Sequence, residues 1–167
     1  MASWRRLDEA SAAEARELLR TCCGSTRWVE RMAARRPFGN QEALLSSAAE
    51  VWWSLGEDDW RLAFAQHPKI GDRDALERRF ATTAHLSAVE QLGLEGARSE
   101  VLTALSEANR LYEETFGYIF IVCARERSAE EMLALLRDRL PNDPAVELRV
   151  AAAEQAAITS LRLIELR

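Results

Sequence analysis

Several residue classes that would point directly to a function are scarce in this 167-residue sequence. It contains three cysteines and two histidines. No segment approaches the ~20 consecutive apolar residues of a membrane span. The net charge is −5 and the pI is about 5.2, so an extended nucleic-acid or anionic membrane surface is not expected. The composition still leaves room for one local basic pocket that binds an anion.

The cysteines give no sign of a disulfide or a metal site. Cys22 and Cys23 are adjacent, which is neither a redox C-x-x-C spacing nor a zinc-binding spacing. Cys123 lies in an apolar run and is typical of a small core residue. We predict no metal, no disulfide and a reducing compartment. The N-terminus lacks the apolar core of a signal peptide and the C-terminus is not a peroxisomal address, so we expect a cytoplasmic location.

What the sequence does contain is a series of helix signals. The hydrophobic fraction is 48% and the charged fraction 29%, typical of a soluble globular protein. We predict one all-α domain over residues 1–167, built from seven or eight helices. Capping residues predict helix starts at Ser11, Ser25, Asn40, Ser87, Ser128 and Asp143. We also expect a short helix from Asp59 and a separate long helix from about Ser99 to Phe116, ended by Gly117.

The segment from Tyr118 to Ala124 does not follow the helical pattern. It is β-branched, aromatic and apolar on both faces, which is compatible with either a buried strand or a buried helical segment. No partner strand is evident elsewhere. We therefore expect either an extended core segment or a continuation of the helix.

His67 is the leading candidate for chemistry. It follows a helical stretch and precedes Pro68, which disfavours the α region for His67 and predicts that the helix ends there. Imidazole is the side chain whose ordinary pKa lies closest to neutrality, so it is the default proton donor or acceptor. The alternative is a helix-end residue whose ring is hydrogen-bonded to the backbone.

Three further polar residues do not fit a plain helical core, and each has a structural alternative. Glu90 could be catalytic, yet a capping box with Ser87 also explains it. Asn109 lies on the inward face of a helix, where a tether to a loop would satisfy its amide. Arg162 ends an apolar stripe in the last helix, so it either snorkels to the surface or faces an anion.

Taken in order along the chain, short motifs resemble the 2-oxo-4-hydroxy-4-carboxy-5-ureidoimidazoline (OHCU) decarboxylase family. The motifs are Cys22-Cys23-Gly24-Ser25 with Trp28, Arg36-Pro37-Phe38, His67-Pro68-Lys69-Ile70-Gly71, Ser87-Ala88-Val89-Glu90-Gln91, Asn109-x-x-Tyr112, Phe116-Gly117-Tyr118-Ile119-Phe120, and Glu147-Leu148 through Arg162-Leu163. Each motif is weak alone, but the ordered set is specific and spans residues 18–166. Many members have proline where this chain has Ile119.

The resemblance implies an all-helical, cofactor-free enzyme that acts on a small molecule and is usually a homodimer. It implies His67 as the catalytic histidine, with Glu90 and Arg162 as further catalytic candidates. The implied substrate-binding positions are Pro68, Ser87, Ala88, Val89, Gln91, Phe120, Ile121, Val122, Cys123 and Ala124. The implied reaction is decarboxylation to (S)-allantoin in urate degradation, with stereospecific protonation by His67.

The residues fit such chemistry. Loss of CO₂ beside a ring carbonyl leaves a carbanion that the substrate itself delocalises, so the protein must position the carboxylate and deliver one proton. His67 fits the proton donor, and Arg162 can anchor anionic oxygen with its planar fork. The apolar run would form a dry wall that strengthens polar contacts. Two alternatives remain open: another cofactor-free hydrolase or isomerase using His67 and Glu90, and a non-enzymatic helical binding module.

Overall fold

The computed structural model describes residues 1–67, 88–125 and 127–166, and for residues 88–98 it describes the backbone only. Within these ranges the secondary structure consists of eight helices, as predicted. They are α1 (Ser3–Glu9), α2 (Ala12–Cys22), α3 (Thr26–Ala34), α4 (Gln41–Trp53), α5 (Glu57–Ala65), α6 (Ala88–Phe116), α7 (Ala129–Arg139) and α8 (Pro144–Glu165). The predicted all-α class is confirmed. Among the described helices there is no stretch with the length and hydropathy of a transmembrane span.

The chain divides into two compact units. The first comprises residues 1–67 and 148–167, and the second comprises residues 68–147. The first unit therefore contains α1 to α5 together with α8 from Leu148 onward. That residues 1–167 form a single domain stays a prediction.

Side-chain caps explain where most helices begin. Ser11 with Glu14, and Ser128 with Glu131, form complete capping boxes at the starts of α2 and α7. Ser25 accepts from the backbone of Trp28, and Asn40 accepts from the backbone of Ala43. These four predicted starts are confirmed.

Three features of the helices differ from the prediction. Helix α5 begins at Glu57, two residues before the predicted start at Asp59, with Gly56 as its N-cap. Helix α1 was not predicted, because its N-cap Ala2 offers no side-chain hydrogen bond and so no sequence signal. The predicted break between a helix capped at Ser87 and a helix from Ser99 is wrong, since α6 runs unbroken from Ala88 to Phe116. Helix α6 passes through Gly93 and Gly96, each of which costs only about 1 kcal/mol relative to alanine in a helix.

The core of the first unit contains tryptophans whose indole N–H groups are all satisfied by backbone carbonyls. Trp28 donates to the Ala48 carbonyl at 3.2 Å, and Trp52 donates to the Ala152 carbonyl at 2.9 Å. Trp60 donates to the Trp52 carbonyl at 3.1 Å. Because an unpaired buried donor costs about 1–3 kcal/mol, these bonds help to fix how α3, α4, α5 and α8 pack within this unit.

In the second unit, Gly117 ends α6 with φ of 82°, a conformation that only glycine adopts readily. The following residues 117–124 are non-helical. Of the two conformations left open by the sequence, the continuation of the helix is therefore wrong. Phe120, Ile121 and Val122 are buried, as expected for a core segment.

Candidate active site

His67 lies just beyond α5, where the helix gives way to a turn. The helix ends at Ala65, and the backbone N–H of His67 donates to the Phe64 carbonyl at 3.2 Å. The imidazole is half-buried, so it is partly screened from water but still accessible. The next residue, Pro68, lies outside the described residues.

The turn that carries His67 packs closely against Gly24, between α2 and α3. A Cβ atom built on Gly24 would lie 2.2 Å from Gln66 Cγ and 2.7 Å from Gln66 Cβ. No side chain fits there unless the turn moves. The adjacent Cys22 and Cys23 are buried free thiols. Burial raises the pKa of the Cys23 thiol to about 11, so it stays protonated at neutral pH.

A side chain on α8, the last helix of the first unit, contacts the imidazole of His67. Its Nε2 atom lies 2.5 Å from Oε1 of Gln155, which is fully buried on α8. Gln155 in turn donates from its side-chain nitrogen to the Thr159 hydroxyl at 3.1 Å. Burial lowers the pKa of His67, the Gln155 hydrogen bond acts in the opposite direction, and the charge of Arg162 lowers it further. The neutral ring is therefore favoured at pH 7.

Arg162 is close enough to His67 to influence it electrostatically, and its side chain is exposed. Its Nη1 atom is 3.4 Å from the Cys22 carbonyl, a long contact that uses only one of the five N–H donors of a guanidinium. It borders a cavity of about 600 Å³ in the first unit. The cavity is lined by Arg20, Thr21, Gly24, Thr26, Ala63, Gln66 and Arg162. This placement is compatible with either snorkelling or an anion contact.

The other predicted positions lie in the second unit or outside the described residues. Ser87 is outside the described residues. Residues 88–91 form the first turn of α6, where the structure describes the backbone only. The two roles predicted for Glu90 therefore both stay predictions. Asn109 is buried and its amide donates to the Leu105 carbonyl, one turn earlier in α6, at 3.0 Å.

In the predicted substrate-binding segment, the side chains of Phe120, Ile121 and Val122 are buried, while Cys123 and Ala124 are half-buried. Contact with a substrate through the first three would thus have to come largely from the backbone. The Ile121 carbonyl already accepts from Arg139 Nη1 at 2.7 Å. The Arg139 guanidinium also lies over the Phe120 ring, 4.5 Å from its centroid.

Arg139 belongs to a buried ionic network that the sequence analysis missed. Glu147, with no exposed surface, accepts from Arg139 Nε at 2.7 Å, from Asn142 at 2.9 Å, and from the Tyr112 hydroxyl. Burial raises the pKa of Tyr112 above its ordinary value. The sequence offered one signal, the charged pair Arg139 and Glu147 on either side of the α7–α8 turn. Charges beside a turn are ordinarily exposed, so this pair did not indicate a buried network.

A metal-binding cluster is not evident in the part of the chain that the structure describes, where no group of three or more His, Cys, Asp or Glu side chains could hold an ion. That catalysis needs no metal or other cofactor stays a prediction.

Comparison with known proteins identifies the family to which this helical chain belongs. The sequence profile described as OHCU decarboxylase matches residues 8–164. The uric acid degradation bifunctional protein TTL of Arabidopsis thaliana is 35% identical over 148 residues, which cover 88% of this chain and 45% of that protein. The OHCU decarboxylase of Amia calva is 34% identical over 128 residues, covering 77% of this chain and 73% of that one.

Solved structures agree. A crystal structure of OHCU decarboxylase in the presence of (S)-allantoin has a TM-score of 0.71 and 37% identity, and the match covers 88% of this chain and 94% of that one. A structure of (S)-allantoin synthase has a TM-score of 0.68 at 18% identity, which supports the fold alone.

This chain belongs to the OHCU decarboxylase family. The resemblance predicted from the ordered motifs is confirmed. The chain spans slightly less than half the length of the bifunctional Arabidopsis relative.

Proposed function

We propose that this chain decarboxylates 2-oxo-4-hydroxy-4-carboxy-5-ureidoimidazoline to (S)-allantoin, and that His67 delivers the proton that sets the product's stereochemistry. Family membership supports the reaction. The observation that carries the role of His67 is its half-buried imidazole, which a fully buried amide fixes at 2.5 Å. A fixed donor offers its proton to one face of a planar carbanion, so the product is a single enantiomer.

In this proposal the C–C bond to the carboxylate breaks, CO₂ leaves, and the electron pair is delocalised into the ring until carbon is protonated. Arg162 anchors an anionic oxygen of the substrate, since a guanidinium can bind a carboxylate through two parallel hydrogen bonds. Its exposed side chain and its long contact with the Cys22 carbonyl support this role. Glu90 orients the imidazole or a substrate hydroxyl.

The remaining polar recognition is assigned to Pro68, Ser87 to Gln91, and the backbone of Phe120 to Ala124. The burial of three apolar side chains in the last segment supports a backbone contact there. A water-poor wall of this kind strengthens the electrostatic contacts that stabilise developing charge. The small-molecule ligand class agrees with the (S)-allantoin present with the related decarboxylase.

The test generates the unstable substrate in situ from urate, with urate oxidase and hydroxyisourate hydrolase, and follows optical activity. We expect faster formation of (S)-allantoin when the purified chain is added. Racemic allantoin appearing at the spontaneous rate would refute the proposal. A panel of other ring hydrolysis and isomerisation substrates tests the first alternative, and unchanged turnover by a His67→Ala variant would favour the binding module.

We further propose that the enzyme needs no cofactor, because the substrate delocalises its own charge. Activity should survive exhaustive dialysis against EDTA. Loss of turnover that a divalent ion restores would contradict this.

A homodimer and a cytoplasmic location are also proposed, on the family resemblance and on the sequence signals respectively. Light scattering coupled to size exclusion should give twice the 18.8 kDa chain mass. A monomeric mass at assay concentration would contradict the dimer, and recovery in a membrane or secreted fraction would contradict the location.

A further inference from the structure

The side chain of Gln155 connects the candidate proton donor to the interior of the first unit. It is fully buried, and its two polar atoms have different neighbours. Its Oε1 atom lies 2.5 Å from His67 Nε2, and its Nε2 atom lies 3.1 Å from the Thr159 hydroxyl. A buried amide that leaves either end unpaired costs about 1–3 kcal/mol, so both contacts constrain it.

The orientation of this amide determines which nitrogen of His67 carries hydrogen. If the carbonyl end faces the ring, His67 Nε2 must donate. If the NH₂ end faces the ring, Nε2 must be the bare acceptor. The choice therefore depends on whether Thr159 accepts from Gln155 or donates to it.

The contact with Thr159 decides this. Gln155 donates from its Nε2 atom to the Thr159 hydroxyl at 3.1 Å, so the NH₂ end of the amide faces Thr159. The carbonyl end therefore faces the imidazole, with Oε1 at 2.5 Å from His67 Nε2. A carbonyl oxygen can only accept, so His67 Nε2 must carry the hydrogen.

We propose that Gln155 is a positioning residue that holds His67 in the Nε2-protonated tautomer and leaves Nδ1 as the atom that gives a proton to the substrate. This inference rests on the proposed function of His67. In the protonated ring both nitrogens carry hydrogen. The Nδ1 proton passes to the carbon that has lost CO₂, and the ring becomes neutral with its remaining hydrogen still bonded to Gln155. The bond that orients the donor therefore stays intact through the transfer.

The charged and titratable groups that face this ring in the described part of the first unit are compatible with that cycle. Arg162 is a nearby cation that disfavours the protonated form of the ring, which makes the protonated ring a stronger acid toward the substrate carbanion. Burial raises the pKa of both Cys22 and Cys23, so the thiols stay neutral and do not compete for the proton.

The tautomer can be read directly, without any turnover. We suggest ¹⁵N labelling of the histidines in the full chain and long-range ¹H–¹⁵N correlation at a pH where His67 is neutral. The spectrum of a His85→Gln variant separates the two histidines. We expect the Nε2–H pattern for His67. An Nδ1–H pattern would overturn the inference, because Gln155 would then have to present its NH₂ group to the ring.

Variants separate positioning from a merely structural role. Gln155→Leu removes the acceptor, so we expect a fall in kcat of about 10–100-fold, as for other residues that orient a reactive side chain. KM should stay within about two-fold, because Gln155 is not assigned a contact with substrate. Gln155→Glu keeps an acceptor and adds a negative charge. It should restore most of kcat and shift the alkaline limb of the pH profile upward, because a carboxylate stabilises the protonated ring.

Thr159 supplies a second pair of variants in case Gln155→Leu fails to fold. Thr159→Val removes the group that orients the amide and should mix the two tautomers, whereas Thr159→Ser should retain the wild-type spectrum. The inference would be overturned if Thr159→Val and Gln155→Leu both showed the wild-type ¹⁵N spectrum and the wild-type kcat. If the wild type shows the Nε2–H ring but no decarboxylation, the proposed function fails while the positioning by Gln155 stands.

Discussion

Gly24→Ala should displace His67 while the rest of the fold stays intact. The substitution adds one methyl group where the next turn is already in contact. The new Cβ would lie 2.2 Å from Gln66 Cγ, which is 1.2 Å closer than the 3.4 Å at which ordinary van der Waals contact begins. Since the Gln66 Cβ is also only 2.7 Å away, rotating the side chain cannot remove the clash. The backbone that continues into His67 must move.

The size of the effect follows from that displacement. Overpacking of this kind costs about 1–3 kcal/mol, which corresponds to a fall in melting temperature of about 2–12 °C for a chain of this size. A shift of about 1 Å at a reacting group can reduce turnover by about 100-fold. We therefore expect kcat to fall by about two orders of magnitude while the variant remains folded at 25 °C.

The assay combines allantoin formation from in situ substrate with thermal unfolding followed by circular dichroism. Gly56→Ala is the matched control, because nothing lies within 4 Å of a Cβ at that position. Gly56 is the N-cap of α5, so alanine there should cost no more than about 1 kcal/mol and leave kcat unchanged. Adding Gln66→Gly to Gly24→Ala removes both clashing atoms and should restore activity. If Gly24→Ala has wild-type kcat, or if the double variant shows no rescue, the close approach does not position His67.

Four further predictions test the site and its support. His67→Ala should reduce turnover by about 10²–10⁴-fold, measured kinetically. It should also lower the free energy of unfolding by about 1–3 kcal/mol, measured by calorimetry, because the buried carbonyl oxygen of Gln155 loses its donor. Unchanged turnover would contradict the acid role of His67. Arg162→Lys should lower kcat/KM by at least ~10-fold, or ~1.4 kcal/mol, with near-normal melting, whereas full activity would restore the snorkelling interpretation. Burial lowers the pKa of His67 below its ordinary 6.5, so the protonated donor is lost as the pH rises through that lowered pKa. We therefore expect kcat to be level at lower pH and to begin falling at a pH below 6.5. A kcat profile that stays flat up to pH 8 would exclude a protonated His67 as the donor. Glu147→Gln should cost about 3–5 kcal/mol in urea unfolding because it leaves the buried Arg139 charge unpaired, while the surface control Glu50→Gln should cost at most about 1 kcal/mol.

The parts of the fold that could be predicted are those with a local chemical cause. Caps at Ser11, Ser25, Asn40 and Ser128 each satisfy backbone groups within three residues, so the sequence alone contains both partners. Helix α1 lacks such a cap. The continuity of α6 through two glycines likewise cannot be derived from local propensity, because tertiary packing routinely overrides differences of about 1 kcal/mol.

For the candidate site, the position of His67 at a helix end could be predicted, and the residues that support it could not. His67 before a proline is visible as a helix end. Gln155 is 88 residues away and has no unusual neighbours in the sequence. In the motif Cys22-Cys23-Gly24-Ser25, the sequence explained Ser25 as a helix cap. The structure adds that both thiols are buried and that Gly24 leaves room for Gln66.

The Ile119 position shows why such supports matter. A proline there would restrict the backbone locally, and this chain lacks that restriction. The segment is nevertheless non-helical, and Arg139 holds it by bonding the Ile121 carbonyl while covering the Phe120 ring. Glu147 fixes Arg139 in turn. Each unit thus contains a buried polar side chain that orients an element assigned to the site: Gln155 orients the imidazole of His67, and Arg139 orients the backbone of the apolar segment. The cost of burying these groups is offset by their hydrogen bonds, and the rigidity that results is what a reaction with one stereochemical outcome requires.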